Sequence, residues 1–494
     1  MTRMPTDQRQ PTLLIAFTLG FATAVATWTI AYFTHHPSIR ATGVYTLVPL
    51  ILVLIGGACI AARSARERPM FAANIASFIA VLLNLLLLTS VLANEDGTQL
   101  RDGAGLVIGG AIAMALIAGS LGAFIANLLP EPKRPVITDR QRWLRFFALV
   151  TSVAVLPVLF SGGLVTSHNA GLAVPDWPGS FHANMFLFPL SKMTGGIFYE
   201  HAHRLFGSLA GITSIALLIM TFVVERRLWT KVFASVLFLL VLAQGLLGAA
   251  RVEAADEQDW QQAAATPSAL VNHDVTNDFA LTTDTTFSIL LAGKHGILGQ
   301  ITFAAVLAFV AALAMTSVRL PSLRKHGSLQ TAAALFFVAT LAQLVMGATA
   351  RHASAIPDPS GDGAISLATI MVMLHATFAF FVLVFGVIAS AFAIRANAHS
   401  SLTHTAKTTM GLLGLQIALG FWTLLDVIPY TAEPGATEGS ALLATLHQFI
   451  GALLIGLAAY QLTWGIGLRW LAEPIPEEAE TSETVPVGAA STVS

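Results

Sequence analysis

Twelve long apolar runs constrain the fold of this 494-residue chain more than any other feature. A helix that crosses a bilayer needs about 20 mainly apolar residues. The runs lie near residues 12–33, 42–62, 70–93, 104–129, 143–165, 200–223, 229–250, 291–316, 329–349, 366–394, 407–428 and 441–465. Hydrophobic residues make up 55% of the chain and charged residues 11%, which is typical of a chain solvated by lipid. We predict an all-α polytopic membrane protein with about twelve transmembrane helices, because lipid cannot satisfy an open sheet edge.

The basic residues of the short loops gather on one side of the predicted membrane, which sets the orientation. They are Arg63, Arg66, Arg68, Lys133, Arg134, Arg140, Arg142, Arg226, Arg227, Lys231, Arg319, Arg324, Lys325, Arg395 and Lys407. The alternate loops carry acidic residues instead, among them Glu95, Asp256 and Glu438. Both termini are therefore predicted to be cytoplasmic.

A proline- and charge-rich segment at residues 130–135 separates the first four runs from the last eight. Residues 1–130 are predicted to form a four-helix transmembrane block, and residues 131–142 a cytoplasmic linker. The helices of this block contain almost no ionisable side chain, which favours a structural or interaction role over transport. The tail at residues 467–494 is rich in Glu, Pro, Thr and Ser and is predicted to be disordered.

The last eight runs form two sets of four, residues 143–317 and 318–466, that resemble each other. Matched features of the third helices are Gln244 with Gly248 in the first set and Gln416 with Gly420 in the second. Because each set has an even number of helices, both sets enter the membrane from the same side. The prediction is two pseudo-symmetric four-helix bundles.

Four histidines occupy matched positions in these sets: His203 and His375 early in the second helices, His295 and His447 at the start of the fourth. The second and fourth helices of a set run in the same direction, so two imidazoles can face each other across the bundle near the outer face. Two ligands do not close a zinc site, whereas an iron porphyrin needs only an axial pair. We therefore predict four haem-iron ligands in two sites. For any single histidine the alternative is a hydrogen bond to a neighbouring helix.

Only the first pair has an acid and a base beside its ligand. Glu200 lies three residues before His203, so their side chains share a helix face. Glu200 and Arg204 are therefore candidate catalytic residues, suited to proton transfer or to placing water. The alternatives are an ion pair between them, or a contact of Arg204 with a haem propionate. Other histidines, namely His168, His182, His273 and His352, fall in outer loops and are expected to be solvated.

Two motifs, FYEHAHR at residues 198–204 and GLAVPDWP at residues 171–178, together resemble the haem A synthase family, which oxidises haem O to haem A for terminal oxidases. The resemblance spans about residues 143–465, with all four histidines in place, and leaves the first 130 residues unassigned. It implies an oxidoreductase of the bacterial inner membrane that converts a ring methyl of haem O to a formyl group by successive hydroxylations. It also implies that His203 and His295 hold the substrate haem, and that His375 and His447 hold haem b.

The resemblance implies haem O as the small-molecule substrate, haem A as the product, and an electron donor. The polar, acidic loop at residues 251–290 is a docking place for a haem O synthase or simply a solvated loop. Nucleic acid is not an expected partner, and self-association is left open. Two other functions compete: a dihaem bis-histidine cytochrome that transfers electrons, and a haem transporter.

The chain departs from the family pattern in its first outer loop. Many relatives carry a cysteine pair there, whereas this chain has Val174 and, near the second position, Ser180. The sole cysteine is Cys59, so no intrachain disulfide forms. Thr166 stands where many relatives have an arginine, and Arg351 occupies the corresponding place in the second set.

Overall fold

The structure, a computed structural model, describes residues 10–37, 39, 41, 43–94, 99–131, 137–181, 183–254, 286–316, 327–354, 366–426 and 437–470. Within these residues the chain forms twelve long helices. They are α1 (Thr12–His35), α2 (Val44–Ser64), α3 (Pro69–Leu92), α4 (Ala104–Leu128), α5 (Arg140–Ser167), α6 (Gly195–Val224), α7 (Leu228–Glu253), α8 (Thr286–Thr316), α9 (Gly327–Ala353), α10 (Leu367–Ala396), α11 (Ser400–Asp426) and α12 (Glu438–Trp470).

All twelve helices are long and apolar enough to cross a membrane. The prediction of a polytopic all-α membrane protein is therefore confirmed for the described residues. Helices suit this solvent because each backbone N–H and C=O finds its partner within the same segment.

Several helices begin earlier than the apolar pattern predicts, among them α8 at Thr286 and α11 at Ser400. Helix α5 begins at Arg140 because the Asp139 carboxylate accepts a hydrogen bond from the Gln141 backbone N–H at 2.8 Å and caps the helix. Helix α6 begins at Gly195, so Glu200 lies in its second turn rather than at its start. Residues 132–136 of the linker, residues 255–285 of the long loop and the tail beyond Trp470 lie outside the described residues.

Helices α1 to α4 pack against one another in a bundle of their own. Close approach at small residues holds these helices together, as is usual in membranes. Gly122 of α4, for example, lies so close to α2 that a Cβ there would approach the Cys59 backbone nitrogen to 2.8 Å.

The last eight helices contact one another in two closed rings. Each of α5, α6, α7 and α8 contacts the next, and α8 returns to α5; α9 to α12 contact one another in the same order. We propose these rings and the first four helices as the three membrane domains, and the pseudo-symmetry of the rings stays a prediction. Helix α12 packs against α5 and α8 and so joins the rings, while α1 joins the first bundle to α5 and α6.

Candidate functional site

The four matched histidines come together as two facing pairs. The ring centres of His203 on α6 and His295 on α8 lie 6.0 Å apart, with their planes at 84°. The ring centres of His375 on α10 and His447 on α12 lie 6.1 Å apart, with their planes at 74°. The two pairs thus have nearly the same geometry in the two rings of helices.

This separation suits one metal ion between two imidazoles. An imidazole nitrogen binds a first-row metal at about 2 Å and lies about 1 Å from its ring centre. Two imidazoles on opposite sides of an ion therefore have ring centres about 6 Å apart. Each pair could therefore supply the two protein ligands that an iron porphyrin needs, since the macrocycle supplies four further ligands. In the described ranges, no group of three or more His, Cys, Asp or Glu side chains is placed to hold a metal ion by itself.

Each of the four imidazole rings lies against a glycine of the preceding helix. From the ideal Cβ position of each glycine to the ring Cε1, the distances are 2.9 Å for Gly162 and His203, 3.4 Å for Gly248 and His295, 2.7 Å for Gly347 and His375, and 2.9 Å for Gly420 and His447. A Cβ at Gly162, Gly347 or Gly420 would crowd the imidazole, whereas a Cβ at Gly248 would make ordinary contact with it. The glycines thus allow the imidazoles to pack closely on neighbouring backbone.

Hydrogen bonds to the preceding helix orient two of the rings. Nδ1 of His203 lies 3.1 Å from the carbonyl oxygen of Val158, and Nδ1 of His375 lies 3.0 Å from that of Gln343. Donation from Nδ1–H to a carbonyl fixes the tautomer in which Nε2 carries the lone pair. That arrangement is the usual one for a histidine that ligates a metal through Nε2.

Glutamine side chains of the preceding helices contact three of the four histidines. Gln343 Nε2 donates to the backbone carbonyl of His375 at 2.8 Å, and Gln244 Nε2 to that of His295 at 3.2 Å. Gln416 Nε2 lies 3.4 Å from His447 Nε2. Sequence reasoning found Gln244 and Gln416 but missed Gln343, although the same Gln-x-x-x-Gly spacing marks it.

Glu200 and Arg204 form a buried ion pair one turn apart on α6. Arg204 Nη2 lies 2.7 Å from Glu200 Oε1, and the side chains are 10% and 6% exposed. Glu200 Oε2 accepts a hydrogen bond from the Val174 backbone N–H at 2.8 Å. Both carboxylate oxygens are therefore engaged, and the ion pair predicted as the alternative is present.

The guanidinium of Arg204 also holds the outer loop that follows α5. It donates to the carbonyl oxygens of Val174 at 2.9 Å, Asp176 at 2.6 Å and Gly179 at 3.0 Å. A planar guanidinium with several donors is well suited to bind successive carbonyls of one turn. Arg204 thus ties residues 174–179 to the helix that carries His203.

His201, which follows Glu200 on α6, binds the same loop. Its Nδ1 lies 3.0 Å from the hydroxyl oxygen of Ser180, and its ring packs on Phe188 with ring centres 5.1 Å apart. Val174 and Ser180, where many relatives carry cysteines, are therefore bonded to Glu200 and His201. Within residues 198–204, the side chains of Glu200, His201 and Arg204 bind the loop. His203 differs from them, because its ring faces the ring of His295.

The outer rim is more closed than the sequence predicts. His168 stacks on Tyr199 with ring centres 4.1 Å apart, and its Nε2 lies 3.6 Å from Glu438 Oε2. Burial lowers the pKa of His168, and the Glu438 carboxylate opposes that shift. The expectation of a solvated side chain is wrong for His168 and His352, which are both half-buried. His168 packs on Tyr199 of α6, and the ring of His352 lies beside Gly293 of α8. His182 and His273 lie outside the described residues.

Arg351 connects the two rings of helices. Its Nη2 donates to the carbonyl oxygen of Thr166 at 2.7 Å and lies 3.2 Å from Asn169 Oδ1. The arginine of the second set therefore reaches the place in the first set where Thr166 replaces an arginine.

Comparison with known proteins gives a family match that begins in the loop before α6 and extends into α12. The model of the cytochrome oxidase assembly protein family matches residues 182–459, more than half of the chain. The heme A synthase of Lysinibacillus sphaericus (strain C3-41) is 33% identical over 119 residues, which cover 23% of this chain and 36% of the relative.

Two further relatives give similar figures. The heme A synthase of Geobacillus kaustophilus (strain HTA426) is 36% identical over 114 residues, 23% of this chain and 35% of the relative. That of Exiguobacterium sp. (strain ATCC BAA-1283 / AT1b) is 33% identical over 121 residues, 24% and 37%. The chain therefore spans about a third of the length of the curated relatives it matches. No solved structure matches the chain significantly.

Proposed function

Because the chain belongs to the cytochrome oxidase assembly protein family, we propose that it is a haem A synthase, an oxidoreductase that converts haem O to haem A. The observation that carries the proposal is the pair of facing imidazoles in each ring of helices, 6.0 and 6.1 Å apart. This spacing supports two porphyrin groups, each of which would be held by the two imidazoles of one pair. The ring methyl of the substrate would be hydroxylated twice, and each step would pass two electrons to an external oxidant and take one oxygen atom from water or dioxygen. Loss of water from the resulting diol would leave the formyl group.

We assign the substrate porphyrin to His203 and His295, and a resident haem b to His375 and His447. Space beyond the ligands supports this division. One and two turns after His203 lie Gly207 and Gly211, where an added Cβ would meet nothing within 4 Å. The corresponding residues after His375 are Ala379 and Leu383. The first pair therefore has more room for haem O, which is larger than haem b by a long isoprenoid chain.

The bound porphyrin iron supplies the redox chemistry, and the protein supplies position and exclusion of water. The Val158 carbonyl orients His203 so that Nε2 is available as a ligand. Arg204 and Glu200 hold residues 174–179 over the outer end of α6. A closed loop at that end limits access of water to the reacting edge of the substrate.

For Glu200 the hydrogen bonds favour a positioning role over proton transfer, and catalysis by Glu200 and Arg204 stays a prediction. The protein is an integral membrane protein. We further propose that both termini are cytoplasmic and that the histidine pairs lie toward the outer face. An electron donor and a haem O synthase are the partners that this function requires.

The test of the function uses a host that makes haem O but no haem A. Expression of the wild-type chain should produce haem A, measured by extraction and mass analysis, and His203→Ala should abolish it. The purified His203→Ala protein should still bind haem b at the second pair. Haem b without any haem A from the wild type would instead favour an electron-transfer cytochrome.

A second test separates the two roles of Glu200. If Glu200 positions the loop, Glu200→Gln should lower haem A formation and increase hydrogen exchange of residues 170–181 to a similar degree. His201→Leu, which removes the bond to Ser180, should act in the same way. Loss of product with an unchanged, protected loop would instead assign proton transfer to Glu200.

A further inference from the structure

Helix α1, in the block that the family resemblance leaves unassigned, lies against the helix that carries His203. It contacts both α5 and α6. We propose that the four N-terminal helices are an intramolecular support for the first histidine pair. In this role α1, through Trp28 and Tyr32, holds α6 where His203 faces His295. The proposal rests on the proposed function only for the identity of the group bound between these histidines.

The inner half of α1 is fixed to α5 by aromatic packing. Phe17 and Phe21 of α1 both contact Phe147 of α5, with ring centres 5.4 and 5.2 Å apart. In lipid there is little hydrophobic driving force between helices, so dense packing of this kind supplies the attraction. This contact sets the position of α1 beside the first bundle.

The outer half of α1 reaches the segment around His203. Tyr32 stacks on Phe198 with ring centres 5.2 Å apart and planes at 21°, and its ring centre lies 5.4 Å from that of Phe206. Trp28 lies 6.4 Å from Phe206. Phe198 and Phe206 stand five residues before and three residues after His203. Tyr32 therefore spans the turns of α6 that set the height and rotation of that histidine.

These α1 side chains act through their rings rather than through polar bonds. Trp28 is 1% exposed and Tyr32 is 7% exposed. The indole N–H of Trp28 and the hydroxyl of Tyr32 are buried without a hydrogen-bond partner among the described residues. Burial of unpaired polar groups is unfavourable, so the packing surface of the rings is what stabilises the contact.

Helix α10, which carries His375 of the second pair, is less covered by other helices than α6 is at the corresponding position. Counted from His375, the residues that correspond to Phe198 and Phe206 are Ile370 and Phe378. Ile370 is 42% exposed, whereas Phe198 is 3% exposed. The support from α1 is therefore specific to the first pair, which is the pair to which the substrate is assigned.

The test compares the two pairs separately in full-length protein. In a His375→Ala background haem is held by the first pair, and in a His203→Ala background by the second. Tyr32→Leu should speed haem loss to excess apomyoglobin by about tenfold in the first background and leave the second unchanged. It should also shift the low-spin electron paramagnetic resonance signal of the first pair and raise hydrogen exchange in residues 195–210 of α6.

Two further variants serve as controls. Tyr32→Phe keeps the ring and should restore both haem retention and the resonance signal. Tyr45→Leu, at a side chain of α2 that is 79% exposed, should change none of these measurements. Unchanged haem loss and exchange in Tyr32→Leu, or equal changes in both backgrounds, would overturn the proposal. Absence of haem from the His375→Ala protein would contradict the proposed function only. Hydrogen exchange of residues 195–210 in Tyr32→Leu would then still test whether α1 supports α6.

Discussion

Gly347→Ala is expected to weaken haem retention at the second histidine pair and to leave the first pair unchanged. The new Cβ would lie 2.7 Å from Cε1 and 3.0 Å from Nδ1 of His375, so the ring must leave its bond to the Gln343 carbonyl. Overpacking in a close-packed interior costs about 1–3 kcal/mol, which corresponds to about 5- to 150-fold weaker haem retention. The measurement is the haem content and visible spectrum of the purified protein.

The glycine contacts differ in distance, which provides internal controls. Gly248→Ala should have a smaller effect on the first pair, because its Cβ would lie 3.4 Å from His295 Cε1. Gly414→Ala on α11 should have none, since a Cβ there meets nothing within 4 Å. If Gly414→Ala lost as much haem as Gly347→Ala, the loss would reflect helix packing in general and not the histidine contact.

Arg204→Gln is expected to release the outer loop and destabilise the protein. The change removes three contacts to backbone carbonyls and leaves the buried Glu200 carboxylate without its counter-charge. Breaking a buried ion pair by removal of one partner typically costs about 3–5 kcal/mol. We expect a fall of that size in the free energy of unfolding, measured with denaturant, and faster proteolysis between residues 170 and 194.

An exposed arginine elsewhere in the protein supplies the control. Arg395 lies near the end of α10 and is exposed. Arg395→Gln should therefore change stability by less than about 0.5 kcal/mol. A double variant, Glu200→Met with Arg204→Met, should recover part of the lost stability, because no unpaired charge stays buried. Equal effects of Arg204→Gln and Arg395→Gln would argue against the loop anchor.

The sequence by itself determined the membrane setting, the number of helices and the identity of the paired histidines. It could do so because a spanning segment has to be long and apolar regardless of its neighbours, and because a repeat places His203 and His375 in matched positions. The Gln-x-x-x-Gly spacing that ends at Gly347 is also visible in the sequence. Only the structure shows that Gln343 and Gly347 contact His375.

Only the tertiary structure decided what the polar residues around His203 contact. Glu200, His201 and Arg204 are neighbours in sequence, yet their partners come from a loop 20 to 30 residues away. Charge and spacing along one helix cannot specify such partners, because they depend on how that loop folds back. The stacking of Tyr32 of α1 on Phe198 of α6 could not be predicted from the sequence either, because it depends on how the two helices pack.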